Sequence, residues 1–195
     1  MKGVLISIQS YWVFLIIAKK MGWKIDKNKT VEIRKSFPKD KAWNRQVEIY
    51  CSKDKKSFDL IPKEYQPLMK QLLGRVVGSF TCDKIEEVYQ CNSGWVQEYA
   101  CICRDHFFDY LGIQRGTHFG YDKKAYGWHI SDLKIYDKPR EIGEFKKENK
   151  CYKRGDLDNI GCWERNCLHQ ELGWCDGRFS KITRPPQSYM FVEEI

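Results

Sequence analysis

The longest strongly apolar run of the sequence, residues 11–18 (YWVFLIIA), constrains the fold more than any other segment. A run of 8 residues is too short to cross a bilayer, which needs about 20. Lys19 and Lys20 follow it, where a signal peptide would carry the small residues of its cleavage site. Ser10 is a candidate cap and Gly22 a candidate stop, so we predict a helix between them. Because its apolar residues lie on nearly every side, we expect this helix to be buried. Without a spanning segment or a signal peptide in this run, we expect a soluble cytoplasmic protein without membrane contacts.

Charge is distributed unevenly along the chain of 195 residues. There are 34 Lys and Arg against 26 Asp and Glu, a net charge of +8. Residues 19–56 hold 13 basic and 5 acidic residues, so the excess of this segment equals that of the whole chain. The hydrophobic share of 42% is enough to fill a core, which excludes a fully disordered protein. The local excess indicates an anion-binding surface, with a solvated lysine-rich loop as the alternative.

Alternation of apolar and polar residues predicts a strand at residues 30–35 (TVEIRK). Val31 and Ile33 share one face of such a strand, whereas Glu32 and Arg34 share the other. Further strands are predicted at residues 4–8, 46–52 and 74–83, at the beginning of 127–135 and, after a turn, at the end of 184–194. Further helices are predicted at 62–73 and 96–111, and a turn at 54–57. The strands near both ends of the sequence suggest a sheet in which the ends pair.

Nine cysteines, an odd number, exclude complete pairing into intramolecular disulfides, which a cytoplasmic setting also disfavours. Five are scattered among apolar residues and are expected to be mostly small core residues. These are Cys51, Cys82, Cys91, Cys101 and Cys103. The other four, within 25 residues, have the number of thiolates that tetrahedral Zn²⁺ requires. These are Cys151, Cys162, Cys167 and Cys175, with His169 as a substitute ligand. A structural zinc is one prediction; since no CxxC spacing occurs, unpaired thiols or two disulfides are the alternatives.

The polar side chains of the predicted strand carry the chemistry of the candidate site. Arg34 offers a planar fork of donors that matches a phosphate or a base edge, and Glu32 can accept from an exocyclic amine. Lys29, at the start of the strand, adds a point charge for phosphate. Trp128 and His129 are candidates for stacking and hydrogen bonding from a neighbouring strand, on opposite faces of it. The full candidate nucleic-acid-binding set is Lys27, Lys29, Glu32, Arg34, Trp128, His129 and Arg184.

Structural alternatives exist for several of these residues. Glu32 and Arg34 can form a surface ion pair, worth about 0–1 kcal/mol. Trp128 can fill the core, and His129 can be a structural histidine. The sequence contains no GxSxG, HExxH or P-loop pattern, so we do not expect hydrolases of those classes.

A first strand, a buried helix and the segment KTVEIRK, in this order, resemble the ASCH domain family of the PUA-like superfamily. The family signature is GxKxxExR. Lys29, Glu32 and Arg34 match its KxxExR part, and Lys27 stands at the glycine position. The segments GRVVGSFTCDKI, AYGWHISDLKIYDKP and TRPPQSYMFVEE also resemble ASCH-like proteins of bacteriophages and gut bacteria.

The resemblance implies an α+β fold, a small PUA-like β-barrel flanked by helices, with a cleft beside the motif strand. We accordingly divide the chain into three parts. An ASCH/PUA-like domain spans residues 1–148, a Cys-rich loop or subdomain is inserted at residues 149–178, and a final strand at 179–195 returns to the barrel.

Relatives in the superfamily bind RNA or modified bases, so the resemblance implies a nucleic-acid-binding module. One ASCH group hydrolyses N4-acetylcytidine with the motif lysine, a threonine and a distant glutamate. Lys29 matches that lysine, Glu32 stands at the threonine position, and Thr30 lies two residues earlier. The first alternative is therefore an amidohydrolase acting on a modified nucleoside, with Lys29, Thr30 and Glu32 as its catalytic residues. The second is a phage interaction protein for host takeover or anti-defence, with a host protein as its partner.

Overall fold

A computed structural model describes residues 3–38, 45–113, 123–148 and 179–194. These residues form a mixed α+β fold. The strands are β1 (Gly3–Ile8), β2 (Val31–Arg34), β3 (Arg45–Cys51), β4 (Val76–Cys82), β5 (Ile85–Tyr89), β6 (Lys124–His129), β7 (Ser131–Arg140), β8 (Phe145–Glu148), β9 (Phe179–Lys181) and β10 (Tyr189–Glu194). The helices are α1 (Ser10–Ile17), α2 (Lys55–Phe58), α3 (Gln66–Leu72), α4 (Ser93–Tyr99) and α5 (Arg104–Leu111).

Seven strands form one large sheet in the order β7-β4-β3-β1-β10-β8-β9. In the middle of this sheet, β1 runs parallel to β3 and antiparallel to β10. The register pairs Val4 with Val47 on one side, and Gly3 with Val192 on the other. The predicted pairing between strands near the two ends of the sequence is thereby confirmed.

The strands β2, β6 and β5 form a second, three-stranded sheet. In the described part of the chain the two sheets do not close into a barrel, so the predicted closed barrel is wrong. The carbonyl of Ile33 in β2 accepts a hydrogen bond from the hydroxyl of Tyr110 (3.4 Å). Just before β2, the N–H of Thr30 donates to the carbonyl of Tyr99 (2.9 Å). Groups of α4 and α5 therefore cover the edge of β2 at which a closing strand would pair.

The buried helix predicted after the first strand is confirmed. Val13, Phe14 and Ile17 of α1 are at most 2% exposed and pack with residues of β1, β3 and β4 in the main core. The helix ends at Ile17, earlier than predicted, and the chain turns through Gly22, whose φ of +70° suits a residue without Cβ. None of the helices within the described ranges is long and apolar enough to cross a membrane.

The single helix predicted at residues 96–111 is in fact two helices, α4 and α5. Between them, Cys101 has a φ of +59°, outside the right-handed helical region. The carbonyls of Tyr99 and Ala100 accept hydrogen bonds from the N–H of Thr30 and from Nζ of Lys29, both at 2.9 Å. Because a continued helix would need these carbonyls for its own amides, the contacts to residues 29 and 30 favour the break.

Shorter segments differ from the prediction as well. The predicted turn at residues 54–57 contains the start of α2, and the helix predicted at 62–73 begins only at Gln66. The sequence pattern misses β5, because Glu86 and Glu87 are adjacent and interrupt the alternation.

The five scattered cysteines have free thiols and differ in burial. Cys51 and Cys82 are buried, as expected, and burial raises the pKa of each thiol to about 12. Cys101 is partly buried and packs against the main core, whereas Cys91 and Cys103 are exposed and are not core residues.

We predicted Ser10 as the cap of α1, but the start of this helix is capped by a side chain from a distant part of the chain. The carboxylate of Asp54 accepts from the N–H of Ser10 (3.2 Å) and from the N–H of Ser57 in α2 (2.9 Å). The hydroxyl of Ser52 also donates to it (2.7 Å). One side chain thus serves the first turns of two helices.

Replacing Asp54 by alanine is expected to lower the free energy of unfolding by about 1–3 kcal/mol, because two helix starts lose an acceptor. Urea denaturation of the wild type and Asp54→Ala measures the loss. The control is Asp59→Ala, an exposed position at the end of α2, which should leave stability nearly unchanged. Equal losses in the two variants would contradict the capping role.

Candidate functional site

The strand predicted at residues 30–35 is β2, and its two faces are as expected. Val31 and Ile33 pack with α4 and α5 in a separate hydrophobic cluster. Glu32 and Arg34 point to the other face, and Glu32 lies opposite Trp128 of β6 in the register. That inner face looks towards the main core, so the polar groups of β2 are buried between the elements.

Three charged side chains meet on this face. Glu32 Oε2 lies 3.4 Å from Nζ of Lys29, and Glu32 Oε1 lies 3.2 Å from Nε of Arg34. The side chains are 1%, 9% and 11% exposed for Lys29, Glu32 and Arg34. Two cations therefore share one carboxylate, and we call these residues the buried triad. The ion pair of Glu32 and Arg34 exists, but it is buried and not at the surface.

Backbone carbonyls and an aromatic ring complete the surroundings of the triad. Lys29 Nζ donates to the carbonyl of Ala100 (2.9 Å), and it lies 5.3 Å from the ring centroid of Trp12 in α1. Arg34 Nη2 donates to the carbonyl of Ser7 at the end of β1 (2.5 Å). The triad thereby joins β2 to β1, to α1 and to the chain between α4 and α5.

Burial dominates the electrostatics of the triad. Desolvation lowers the pKa of Lys29 below 10.5, although the neighbouring carboxylate of Glu32 opposes this change. Burial raises the pKa of the Cys101 thiol, while the charges of Lys29 and Lys27 act in the opposite direction. The pKa of Lys29 is thus lower than that of an exposed lysine.

The other candidates from the sequence lie outside the triad. Trp128 is 0% exposed in the main core, since its strand register places it on the inner face, so it offers no ring to a ligand. His129 lies on the other face of β6, with Nε2 at 2.9 Å from Glu86 Oε2. Lys27 and Arg184 are exposed, and no described contact joins Arg184 to the triad.

Thr30 also lies outside the triad. Its hydroxyl donates to the carbonyl of Tyr99 (3.4 Å), and the residue is exposed. Of the three catalytic candidates, the structure therefore brings only Lys29 and Glu32 into contact.

Sequence reasoning missed Trp12 and the two backbone carbonyls, of Ser7 and Ala100. The carbonyls carry no residue-specific signal, because any amino acid supplies one. Trp12 lies in the apolar run and is indistinguishable there from an ordinary core residue.

The four clustered cysteines, Cys151, Cys162, Cys167 and Cys175, lie outside the described residues, as does His169. The zinc site and its alternatives therefore stay predictions. In the described part of the chain, no group of three His, Cys, Asp or Glu residues is arranged to hold a metal ion.

No protein-family model and no curated protein matches the chain. Its fold does match solved structures of the ASCH protein of Zymomonas mobilis, ZmASCH. One crystallised single-residue variant has a TM-score of 0.50 at 16% identity, over 96% of this chain and 85% of that chain. The unsubstituted protein has a TM-score of 0.48 at 17% identity, over 96% and 85%. At this identity the likeness concerns the fold, and the fold of this chain is that of an ASCH domain protein.

Replacing Glu32 by glutamine is expected to lower the free energy of unfolding by about 3–5 kcal/mol, because two buried cations lose their shared counterion. Urea denaturation measures the change. Glu87→Gln is the control, since Glu87 pairs with Lys124 at the surface and its loss should leave stability nearly unchanged.

Adding Lys29→Met to Glu32→Gln removes one of the two uncompensated cations. The double variant should therefore regain part of the free energy of unfolding that Glu32→Gln loses. A double variant that is less stable than Glu32→Gln alone would contradict the role of charge in the triad.

Proposed function

We propose that the chain is an ASCH/PUA-like module that binds RNA or a modified nucleotide through a phosphate group. The observation that carries the proposal is the buried triad, in which Lys29 and Arg34 share Glu32. When both cations are protonated, the triad has one surplus positive charge in a site with little water. A phosphate at Arg34, the most exposed member of the triad at 11%, would neutralise this surplus through charge-assisted hydrogen bonds, which are about twice as strong as neutral ones.

The contacts of the triad support different roles for its members. Each carboxylate oxygen of Glu32 already faces a cation, so we assign this residue to holding Lys29 and Arg34 rather than to reading a base amine. The guanidinium of Arg34 uses Nε and Nη2 in its described contacts. We therefore assign its Nη1 donors to the phosphate.

The basic stretch around the triad supports approach of a polyanion. Lys19, Lys20, Lys24 and Lys27 are exposed and precede β2 directly. Clustered exposed cations raise the association rate of a polyanion and strengthen its non-specific binding.

Affinity for a labelled single-stranded RNA is expected to fall steeply with salt, with a slope of about −0.7 per neutralised phosphate. Fluorescence anisotropy over a salt series measures this slope. Lys27→Glu should weaken binding and reduce the slope, whereas the matched change Lys70→Glu, at an exposed position of α3, should have a smaller effect. If the affinity for RNA changes neither with salt concentration nor in the Lys27→Glu variant, the proposal is rejected.

One observation, the burial of Lys29, favours a second candidate, an amidohydrolase acting on N4-acetylcytidine. Desolvation lowers the pKa of Lys29, and a neutral amine can take a proton from an attacking water. The new C–O bond then replaces the C–N bond to the base, which leaves with that proton as acetate is released. Because the Thr30 hydroxyl is directed to Tyr99, we assign the nucleophile to water, with Glu32 holding Lys29.

Hydrolysis of N4-acetylcytidine should then increase with pH below the ordinary lysine pKa of 10.5, because the basic form of Lys29 is populated earlier. Lys29→Ala should reduce acetate release by about 10²–10⁴-fold. Lys27→Ala, a nearby exposed lysine, is the control and should retain activity. A wild type without turnover at any pH rejects the amidohydrolase.

A further inference from the structure

A pair of aromatic side chains lies outside the triad, on α4. Trp95 and Tyr99 are four residues apart and therefore share a helix face. Their ring centroids are 5.4 Å apart, with 41° between the ring planes. Trp95 is partly buried and Tyr99 is 39% exposed. The pair thus keeps apolar surface in contact with water.

The strand β6 supports the Trp95 ring directly. At Gly127 a Cβ would lie 2.9 Å from the six-membered part of this ring, so the side chain rests against bare strand backbone. The His129 ring, on the same face of β6, lies 6.0 Å from the Trp95 ring. Glu86 holds that imidazole through Nε2 at 2.9 Å. The sheet therefore supports the Trp95 and His129 rings, and Tyr99 lies beside Trp95. We call Trp95, Tyr99 and His129 the aromatic surface.

The aromatic surface adjoins the buried triad through consecutive carbonyls. The carbonyl of Tyr99 accepts from the N–H of Thr30, and the carbonyl of Ala100 accepts from Nζ of Lys29, both at 2.9 Å. Residues 99 and 100 thus have the rings on one side and a buried cation on the other. Lys27 is exposed, and its charge acts on Cys101, two residues after Tyr99, so a phosphate held at Lys27 has its neighbouring groups near Tyr99.

We propose that the aromatic surface is a stacking platform for the bases of a single-stranded nucleic acid whose backbone is held by the exposed lysines that precede β2. This inference rests on the proposed function and adds a second subsite to it. Basic grooves that adjoin aromatic side chains are typical of proteins that bind single strands without sequence preference.

The charges around the aromatic surface favour a nucleic acid as its occupant. Two acidic groups lie beside the rings: Glu86 is paired with Lys84 and His129, and Glu98 accepts a hydrogen bond from the Tyr99 hydroxyl. Exposed positive charge lies near it at Lys27, which acts electrostatically on Cys101. Aromatic rings beside positively charged side chains match the alternation of bases and phosphates along a nucleic-acid strand.

The experiment compares a short oligouridine with the same strand in which the bases are replaced by abasic residues. Anisotropy at low salt should show tighter binding of the oligouridine to the wild type. Trp95→Leu should weaken oligouridine binding roughly tenfold and leave the abasic strand unaffected. Tyr99→Leu should act in the same direction, with less risk to folding because that side chain is exposed.

Trp23→Leu is the matched control. Trp23 is also partly buried, but it packs in a different cluster, against Phe14 (5.5 Å) and Tyr65 (5.1 Å). This variant should retain the preference for the oligouridine. Circular dichroism of all variants confirms that each is folded.

The outcomes separate this inference from the proposed function. In one outcome both strands bind equally, Lys27→Glu weakens this binding, and Trp95→Leu and Tyr99→Leu do not affect it. That result overturns the platform and keeps the proposed function. A wild type that binds neither strand overturns both. In a further outcome the wild type self-associates, and Trp95→Leu abolishes this self-association without changing oligouridine binding. That result assigns the aromatic surface to contact with a second copy of the chain and overturns the platform.

Discussion

The sharing of one carboxylate by two buried cations is the interaction on which the rest of this structure depends. Burying three charges is costly, and it is tolerated only when the geometry satisfies nearly every donor and acceptor. Glu32 forms ion pairs with both cations, and the carbonyls of Ser7 and Ala100 accept hydrogen bonds from them. Since these partners belong to different elements, the need to compensate charge also fixes how β1, β2 and the chain after α4 are arranged.

Local patterning predicted much of the site. The alternation in TVEIRK correctly separates Val31 and Ile33 from Glu32 and Arg34, because a strand has a side-chain period of two. The same reasoning predicts the buried helix and the pairing of the strands near the ends. It did not predict that Glu32 and Arg34 are buried, since alternation separates two faces without telling which neighbour covers each.

The errors have a common physical origin in long-range contacts. The helix expected at residues 96–111 has good helical spacing, yet Lys29 and Thr30 bind its carbonyls at residues 99 and 100. The closed barrel fails for a related reason, since Tyr110 of α5 binds the carbonyl of Ile33 at the edge of β2. The aromatic surface was missed because the support of Trp95 is a glycine, a residue whose contribution is the absence of a side chain.

The position of β10 has a consequence for how the molecule is made. This strand lies between β1 and β8, in the interior of the large sheet, although it is the last strand in the described chain. On the ribosome, β1 therefore emerges long before its neighbour and keeps one row of amides and carbonyls unpaired until residues 189–194 have been made. The sheet is completed only when residues 189–194 leave the exit tunnel, so folding of this half cannot finish before they do.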